Sequence, residues 1–78
     1  MFIIKRATTG RVGNETYDNR VIDLREYPTR EEALAEMRAR RSEYAKTGVE
    51  AEGSDGDYTV VLKDEHFDCT DRYWVEEV

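Results

Sequence analysis

Apolar and polar residues alternate along four stretches of the chain and recur with a helical period along a fifth. In the first stretch Phe2 and Ile4 point to one side and Ile3 to the other, which is typical of an inner strand. Turn-forming residues, among them Gly10 and Gly13, separate it from the second stretch. The last two stretches are separated by a polar loop of about six residues. The pattern predicts four strands in two antiparallel hairpins, at residues 2–8, 16–26, 57–63 and 70–78.

A single helix is predicted between the two hairpins, over residues 30–46. Thr29 precedes Glu32 by three residues, which is the capping box in which the threonine oxygen accepts from the glutamate amide. Acidic residues lie in the first turn and basic residues toward the end, as the helix dipole favours. Gly48 is placed to end the helix. The apolar stripe consists of Ala33, Leu34, Met37, Tyr44 and Ala45.

The element order ββαββ predicts a single domain, residues 1–78, of the α+β class. One amphipathic helix on one face of a four-stranded antiparallel sheet is the economical two-layer arrangement. Residues 50–56 are predicted to form an acidic, glycine-bearing loop before the third strand. Because one helix covers one face only, the other face of the sheet is predicted to be open to solvent or to a partner.

Composition argues against a membrane-spanning protein and against a secreted one. Charged residues make up 38% of the chain, and no apolar run approaches the ~20 residues of a membrane-spanning helix. The N-terminus carries its charges after its apolar residues, which is the reverse of a secretory signal. Cys69 is the single cysteine, whereas small secreted domains usually carry paired ones. A cytoplasmic location without membrane contact is therefore expected.

Five residues with metal-ligating side chains crowd the loop before the last strand: Asp64, Glu65, His66, Asp68 and Cys69. Structural zinc sites draw ligand pairs from two places in a chain. This chain has no second histidine or cysteine to supply the other pair. The segment is therefore interpreted as a polar hairpin loop, and no metal or other cofactor is expected.

The sequence shows no catalytic motif. His66 and Cys69 would serve as base and nucleophile, but a catalytic thiol needs an electropositive setting, and Asp68 and Asp71 flank this cysteine. The glycines match no phosphate-cradling pattern. The chain is therefore predicted not to be an enzyme and to have no small-molecule substrate.

Acidic residues concentrate in the second part of the chain. The whole has 12 basic and 18 acidic residues and a net charge of -6. Residues 48–78 contain two basic and ten acidic groups, so this part alone carries a charge of -8. Aromatic residues stand among the acids, and this combination suits an interface with a basic protein surface. The partner-binding residues predicted on this ground are Tyr58, Asp64, Glu65, Asp68, Asp71, Tyr73, Trp74 and Glu76.

Two alternative functions remain open from the residues. The first is a nucleic-acid-binding accessory protein that meets phosphates with an arginine-rich helix face, formed by Arg30, Arg38, Arg40 and Arg41. The acidic net charge and the neighbouring glutamates oppose that interpretation. The second is a homodimeric structural protein that closes the open sheet face on itself.

In length, acidic balance and element order, the whole chain resembles the small phage-encoded inhibitor proteins that include anti-CRISPRs. No motif carries the resemblance, so no family residue is assigned to a position in this chain. The resemblance implies a stoichiometric, non-enzymatic binder of a nucleic-acid-handling protein in the cytoplasm of a bacterial host. Such a binder would set its acidic, aromatic-bearing surface against a basic groove of a CRISPR-Cas-type partner.

Overall fold

The fold is one α-helix packed on one antiparallel sheet. The computed structural model describes the backbone of residues 1–12, 15–65 and 67–78 and the side chains of residues 1–11, 21–65 and 68–78. The sheet has the strand order β2-β1-β5-β4-β3. In chain order the elements are β1 (Phe2–Val12), β2 (Glu15–Tyr27), α1 (Arg30–Lys46), β3 (Glu52–Ser54), β4 (Asp57–Lys63) and β5 (Phe67–Glu77).

The predicted α+β class and helix-on-sheet arrangement are confirmed, but the predicted count of four strands is wrong. The extra strand is β3, three exposed residues that lie in a segment predicted to be a loop. Its residues do not alternate, and Gly53 adopts a φ of 126°, so no periodic signal marks it. The strand is defined by pairing with β4, from Glu52 opposite Thr59 to Ser54 opposite Asp57. β1 and β5 are also longer than predicted.

Both ends of α1 are capped by the residues that the sequence indicates. The Glu32 amide donates to the Thr29 hydroxyl at 3.2 Å. At the other end Gly48 takes a φ of 83°, and its amide and that of Val49 donate to the carbonyls of Ala45 and Tyr44. This is a Schellman ending, which satisfies the last carbonyl groups of the helix. Within the described ranges, no helix is both long and apolar enough to span a bilayer.

The core lies between α1 and the half of the sheet nearest the chain termini. The buried residues of this core are Ile4, Ala33, Met37, Tyr58, Val60 and Tyr73. One flank of α1 packs Leu34 against Gly56 in the β3–β4 turn, and the opposite flank faces Leu62 near the other end of β4. The molecule measures 41 × 25 × 16 Å, whereas a 17-residue helix is about 25 Å long. The far ends of the long strands therefore extend beyond the helix.

The strand order places a strand from the acidic second part of the chain, residues 48–78, directly beside a strand from the first part, residues 1–47. β5, from the acidic second part, lies at the centre of the sheet between β1 and β4. Its residues pair with the more basic β1, for example Trp74 opposite Lys5. The acidic C-terminal hairpin predicted from the sequence is thus not a separate edge of the molecule.

Candidate functional site

The sheet face turned away from α1 is not covered by any described element. Side chains alternate between the two faces of a sheet, so the registers assign the residues of this face. We call it the open face, and its described side chains include Ile3, Lys5, Ala7, Val21, Asp23, Glu26, Glu52, Asp57, Thr59, Val61, Lys63, Asp68, Arg72, Trp74 and Glu76. Val21 and Val61 are 54% and 47% exposed, so apolar area is available there.

Trp74 lies on the central strand β5, toward the end of the open face that is near the chain termini. It stands directly opposite Lys5 on one neighbouring strand and Asp57 on the other. The Arg72 guanidinium carbon lies 4.7 Å from the centre of the indole ring, which is the distance of a cation–π contact. Trp74 is half-buried, and tryptophan is one of the residue types enriched at the hot spots of protein interfaces.

Asp57 holds Arg72 in place over the indole. Its two carboxylate oxygens accept from Arg72 Nε at 3.0 Å and from Nη2 at 2.6 Å, which is the bidentate geometry of a strong arginine–carboxylate pair. These hydrogen bonds lower the pKa of Asp57 and raise that of Arg72. The three side chains therefore form a layered unit on the open face.

Lys5 is the second cation beside Trp74 on the open face. Its ammonium lies 2.8 Å from a Glu76 oxygen and 3.5 Å from an Asp23 oxygen. The hydrogen bond to Glu76 is the main reason that the pKa of Lys5 is raised. Lys5 therefore orients a carboxylate on each side of it. Its aliphatic stem also helps to explain why Ile3 and Ala7 are buried on a face without a covering layer.

The open face carries its negative charge at one end. Five carboxylates lie at the end near the chain termini, with two cations among them: Asp23, Glu26, Glu52, Asp57 and Glu76 against Lys5 and Arg72. At the opposite end Arg11 and Lys63 flank Asp68 in one row across the sheet. The terminal end therefore has the net negative potential, with Trp74 inside it.

The structure corrects the placement of three predicted partner-binding residues. Tyr58 and Tyr73 are buried in the core under α1, and Asp71 is 7% exposed on the same side of the sheet. Strand alternation explains this, because Tyr58, Asp71 and Tyr73 share the helix-facing side, whereas Trp74 and Glu76 share the open face. These three side chains are not available to a partner in this fold.

Three of the other predicted acidic residues are exposed but lie away from Trp74, whereas Glu76 lies near it on the open face. Asp64 and Glu65 lie in the β4–β5 loop, and Asp68 lies at the far end of the open face. His66 falls outside the described residues. Cys69 is half-buried on the helix-facing side, where its thiol lies 3.8 Å from Asp71 Oδ1. In the part of the chain that the structure describes, no three His, Cys, Asp or Glu side chains come together as metal ligands.

Two helix arginines are engaged with the β3 segment. Arg41 donates to the Ala51 carbonyl at 2.9 Å and to the Gly53 carbonyl at 3.2 Å, and its guanidinium lies over the Tyr58 ring. Both Arg38 and Arg41 lie 3.7 Å from carboxylate oxygens of Asp55. The two guanidinium groups therefore share one exposed carboxylate, and Arg38 itself is 54% exposed.

The remaining two helix arginines lie on different flanks of α1. Arg40 lies over the Tyr73 ring, 5.4 Å from its centre, and its Nη2 is 3.4 Å from Glu36. Arg30 is exposed at the start of the helix. Of the four side chains predicted to meet nucleic acid, Arg30, Arg38 and Arg41 therefore lie on the flank of α1 near the β3–β4 turn, and Arg40 lies on the opposite flank.

Four residues around Trp74 on the open face were not among the predicted site residues: Lys5, Asp23, Asp57 and Arg72. Arg72 and Trp74 are two apart on one strand, and this spacing alone places them on one face. The other three come from β1, β2 and β4, and only the sheet register brings them beside Trp74. Local sequence could identify the first pair but not the rest.

Comparisons of this chain with protein families, with curated proteins and with solved structures gave no match.

Proposed function

We propose that the chain is a small non-enzymatic inhibitor that binds another protein through the terminal end of its open face. The observation that carries the proposal is Trp74, preorganised by Arg72 and Asp57 within a net-negative part of an uncovered sheet. Tryptophan anchors inside a charged rim are typical of interface hot spots. The resemblance to phage-encoded inhibitors supports the same class of function.

The partner that fits this surface has a basic groove, as nucleic-acid-handling proteins of the CRISPR-Cas type do. Carboxylates on one side of an interface attract lysine and arginine on the other, accelerate association and disfavour partners of like charge. Lys5 and Arg72 fix the orientation of Glu76 and Asp57, so less side-chain entropy is lost on binding. Occupying such a groove would exclude nucleic acid from it.

The two alternatives receive less support from the geometry. Nucleic-acid binding needs free cations, but Arg38, Arg40 and Arg41 already pair with Asp55 or Glu36. A homodimer through the open face would bring together two surfaces on which carboxylates outnumber cations. A gel-shift assay at low salt and sedimentation of the purified chain test these alternatives, and a shift or a stable dimer would favour them.

The experiment begins with affinity capture from a host lysate and continues with binding measurements on the purified partner. Trp74→Ala is expected to weaken binding by at least about 30-fold, since hot-spot truncations cost ~2 kcal/mol or more. Glu76→Lys should slow association, and Asp68→Lys should slow it less. Glu50→Lys, at an exposed acid in the connection between α1 and β3, is the matched control for charge.

Inhibition is tested by asking whether the chain displaces nucleic acid from the captured partner. The proposal predicts displacement by the wild type, displacement that weakens with rising salt, and little displacement by Trp74→Ala. Full binding by Trp74→Ala together with loss of binding in Arg38→Glu would show that the helix side, not the open face, carries the function.

A further inference from the structure

A shallow trough runs along β1 on the open face. Ile3 and Ala7 are 6% and 7% exposed, although no described element covers this face. Lys5 lies between them on the same strand, and its side chain is also mostly buried. Side chains of the two neighbouring strands must therefore stand higher than those of β1 and shield them from solvent. β1 forms the floor of the trough, and β2 and β5 form its walls.

Each wall combines apolar area with negative charge. The residues that stand directly opposite the floor are Val21, Asp23 and Glu26 on β2 and Arg72, Trp74 and Glu76 on β5. Val21 and Trp74 supply the apolar parts of the two walls, and the acids lie toward the chain termini. An apolar strip with a charged rim is the composition of a protein-binding surface.

The cations in the trough already have carboxylate partners. The Lys5 ammonium contacts Oδ1 of Asp23 and Oε2 of Glu76, and Arg72 is held by its bidentate carboxylate outside the walls. Each carboxylate offers about four lone-pair sites, so Asp23 and Glu76 can accept from a second cation as well. Glu26 forms no ion pair with any described residue. The walls therefore attract positive charge, while the stem of Lys5 adds apolar area to the floor.

The trough has the width of an α-helix. β2 and β5 lie two strand spacings apart, which is about 10 Å, and a helix with its side chains is about 10–12 Å across. The face of a sheet offers side chains and no free backbone groups, so an extended peptide would find no partners there for its amides and carbonyls. A helix satisfies its own backbone groups, and α1 packs on the opposite face of the same sheet in this way.

We propose, building on the proposed function, that the partner element seated in this trough is an amphipathic α-helix with lysine or arginine on both sides of its apolar stripe. The apolar stripe lies over Ala7 between Val21 and Trp74, and the flanking cations reach Glu26 on one wall and Glu76 on the other. This is helix-in-groove recognition, in which apolar anchors supply affinity and charges supply orientation. The helix would be part of the wall of the partner's basic groove.

The test is a nuclear magnetic resonance titration of the full chain with three synthetic peptides of about 14 residues, four helical turns each. The first has leucine at i, i+3, i+4 and i+7 with lysine and alanine elsewhere, the second is its scrambled form, and the third has glutamate in place of lysine. We expect saturable shifts of β1, β2 and β5 amides with the first peptide, at least about tenfold weaker binding of the second, and none of the third. Carbon shifts of the labelled first peptide should report a helix. Equal binding of the scrambled peptide, or an extended bound peptide, would overturn the proposal.

Two exposed valines of the open face give a matched pair of variants. Val21→Lys should weaken binding of the first peptide by about tenfold or more, because it removes an apolar contact and places a like charge in the wall. Val61→Lys makes the same change at a similarly exposed position on β4, outside the trough, and should bind like the wild type. Glu26→Gln removes a wall charge alone and tests the site if Val21→Lys does not fold. Equal weakening by both lysine variants, or unchanged affinity in Glu26→Gln and a folded Val21→Lys, would contradict the assignment.

The partner obtained by affinity capture separates failure of the helix assignment from failure of the proposed function. If the first peptide binds no better than the scrambled one while Trp74→Ala still weakens binding of the captured partner, the helix assignment is wrong and the proposed function stands. If the first peptide binds in the trough but Trp74→Ala leaves binding of the captured partner unchanged, the proposed function is wrong. Trough amides that shift with protein concentration in the absence of peptide would identify a second copy as the occupant and overturn the helix assignment.

Discussion

Three tyrosines place their hydroxyl groups between the helix and the sheet. Tyr58 donates to the Met37 carbonyl at 2.7 Å, and Tyr44 and Tyr73 bond to each other. The rings supply apolar area to a small core, while each hydroxyl is satisfied inside it. In the sequence Tyr58 and Tyr73 stand among acids and suggest an exposed aromatic surface, whereas Tyr44 belongs to the apolar stripe of the helix. Tyr58 and Tyr73 are buried instead, because strand alternation places them on the face of the sheet that α1 covers.

Tyr58→Phe tests how much the buried hydroxyl contributes to stability. The change keeps the ring in the core but removes the donor to Met37, so we expect a loss of about 1–2 kcal/mol in the free energy of unfolding. Urea denaturation followed by circular dichroism measures it. Tyr27→Phe is the control, because the Tyr27 hydroxyl bonds to no described residue, and its effect should stay within about 0.5 kcal/mol. Equal losses in both variants would show that the Met37 contact is not the cause.

The Asp57–Arg72 pair predicts a small dependence of stability on pH. The lowered pKa of Asp57 means that its contribution is present above its ordinary value of 3.8 and is lost as the pH falls through the lower folded value. Both side chains are about half exposed, so solvent screening limits the contribution to about 1 kcal/mol or less.

Asp57→Asn should therefore be less stable than the wild type at pH 7, and the difference should vanish as the pH falls below 3.8. Thermal unfolding at a series of pH values measures it. Glu50→Gln, which removes an exposed acid, should show no such difference. If Asp57→Asn remains less stable than the wild type at low pH, the substitution acts by disturbing packing and not by removing the charge.

At the scale of elements, the sequence predicts what local chemistry determines. The bounds of α1 follow from Thr29 and Glu32 at its start and Gly48 at its end, and the observed helix has the predicted limits. β4 likewise has its predicted limits because its residues alternate cleanly. β3 could not be predicted, since its pairing depends on the β4 partner and on an arginine twelve residues away in the helix.

Arg41 forms hydrogen bonds along the β3 edge of the sheet, and its contribution to that edge can be tested. Its guanidinium occupies carbonyls of Ala51 and Gly53 that a foreign strand would otherwise use. In Arg41→Gln these carbonyls are released, so amides of residues 51–54 should exchange with solvent about tenfold faster or more, as loss of a charged hydrogen bond allows. Hydrogen exchange measured by mass spectrometry tests this. Arg38→Gln loses only an ion pair with Asp55, so its amides at residues 51–54 should exchange at the wild-type rate. If these amides exchange equally fast in both variants, the loss of the contact with Asp55 is the cause.

At the scale of the whole molecule, the acidic second part of the chain does not form a separate acidic surface. The second part is strongly acidic in sequence, but β5 lies between β1 and β4, and Lys5 neutralises Glu76 across that pairing. Strand order arises from contacts between residues far apart in the chain, which no local pattern records. The net-negative area that remains combines Asp23 and Glu26 from the first part with Asp57 and Glu76 from the second.

The same interleaving predicts that neither part of the chain folds alone. A fragment of residues 1–47 retains Ile4, Ala33 and Met37 but lacks Tyr58, Val60 and Tyr73, which complete the core. A domain of this size has little stability to spare, so losing half of its core should leave the fragment unfolded. Circular dichroism and amide shift dispersion would show an unfolded fragment 1–47, whereas mixing it with fragment 48–78 should restore part of the sheet signal. The intact chain with Glu50→Gln serves as the folded control. A fragment 1–47 with native-like dispersion would show that β1, β2 and α1 form an independent unit, and that the central β5 strand is added to a fold that already exists.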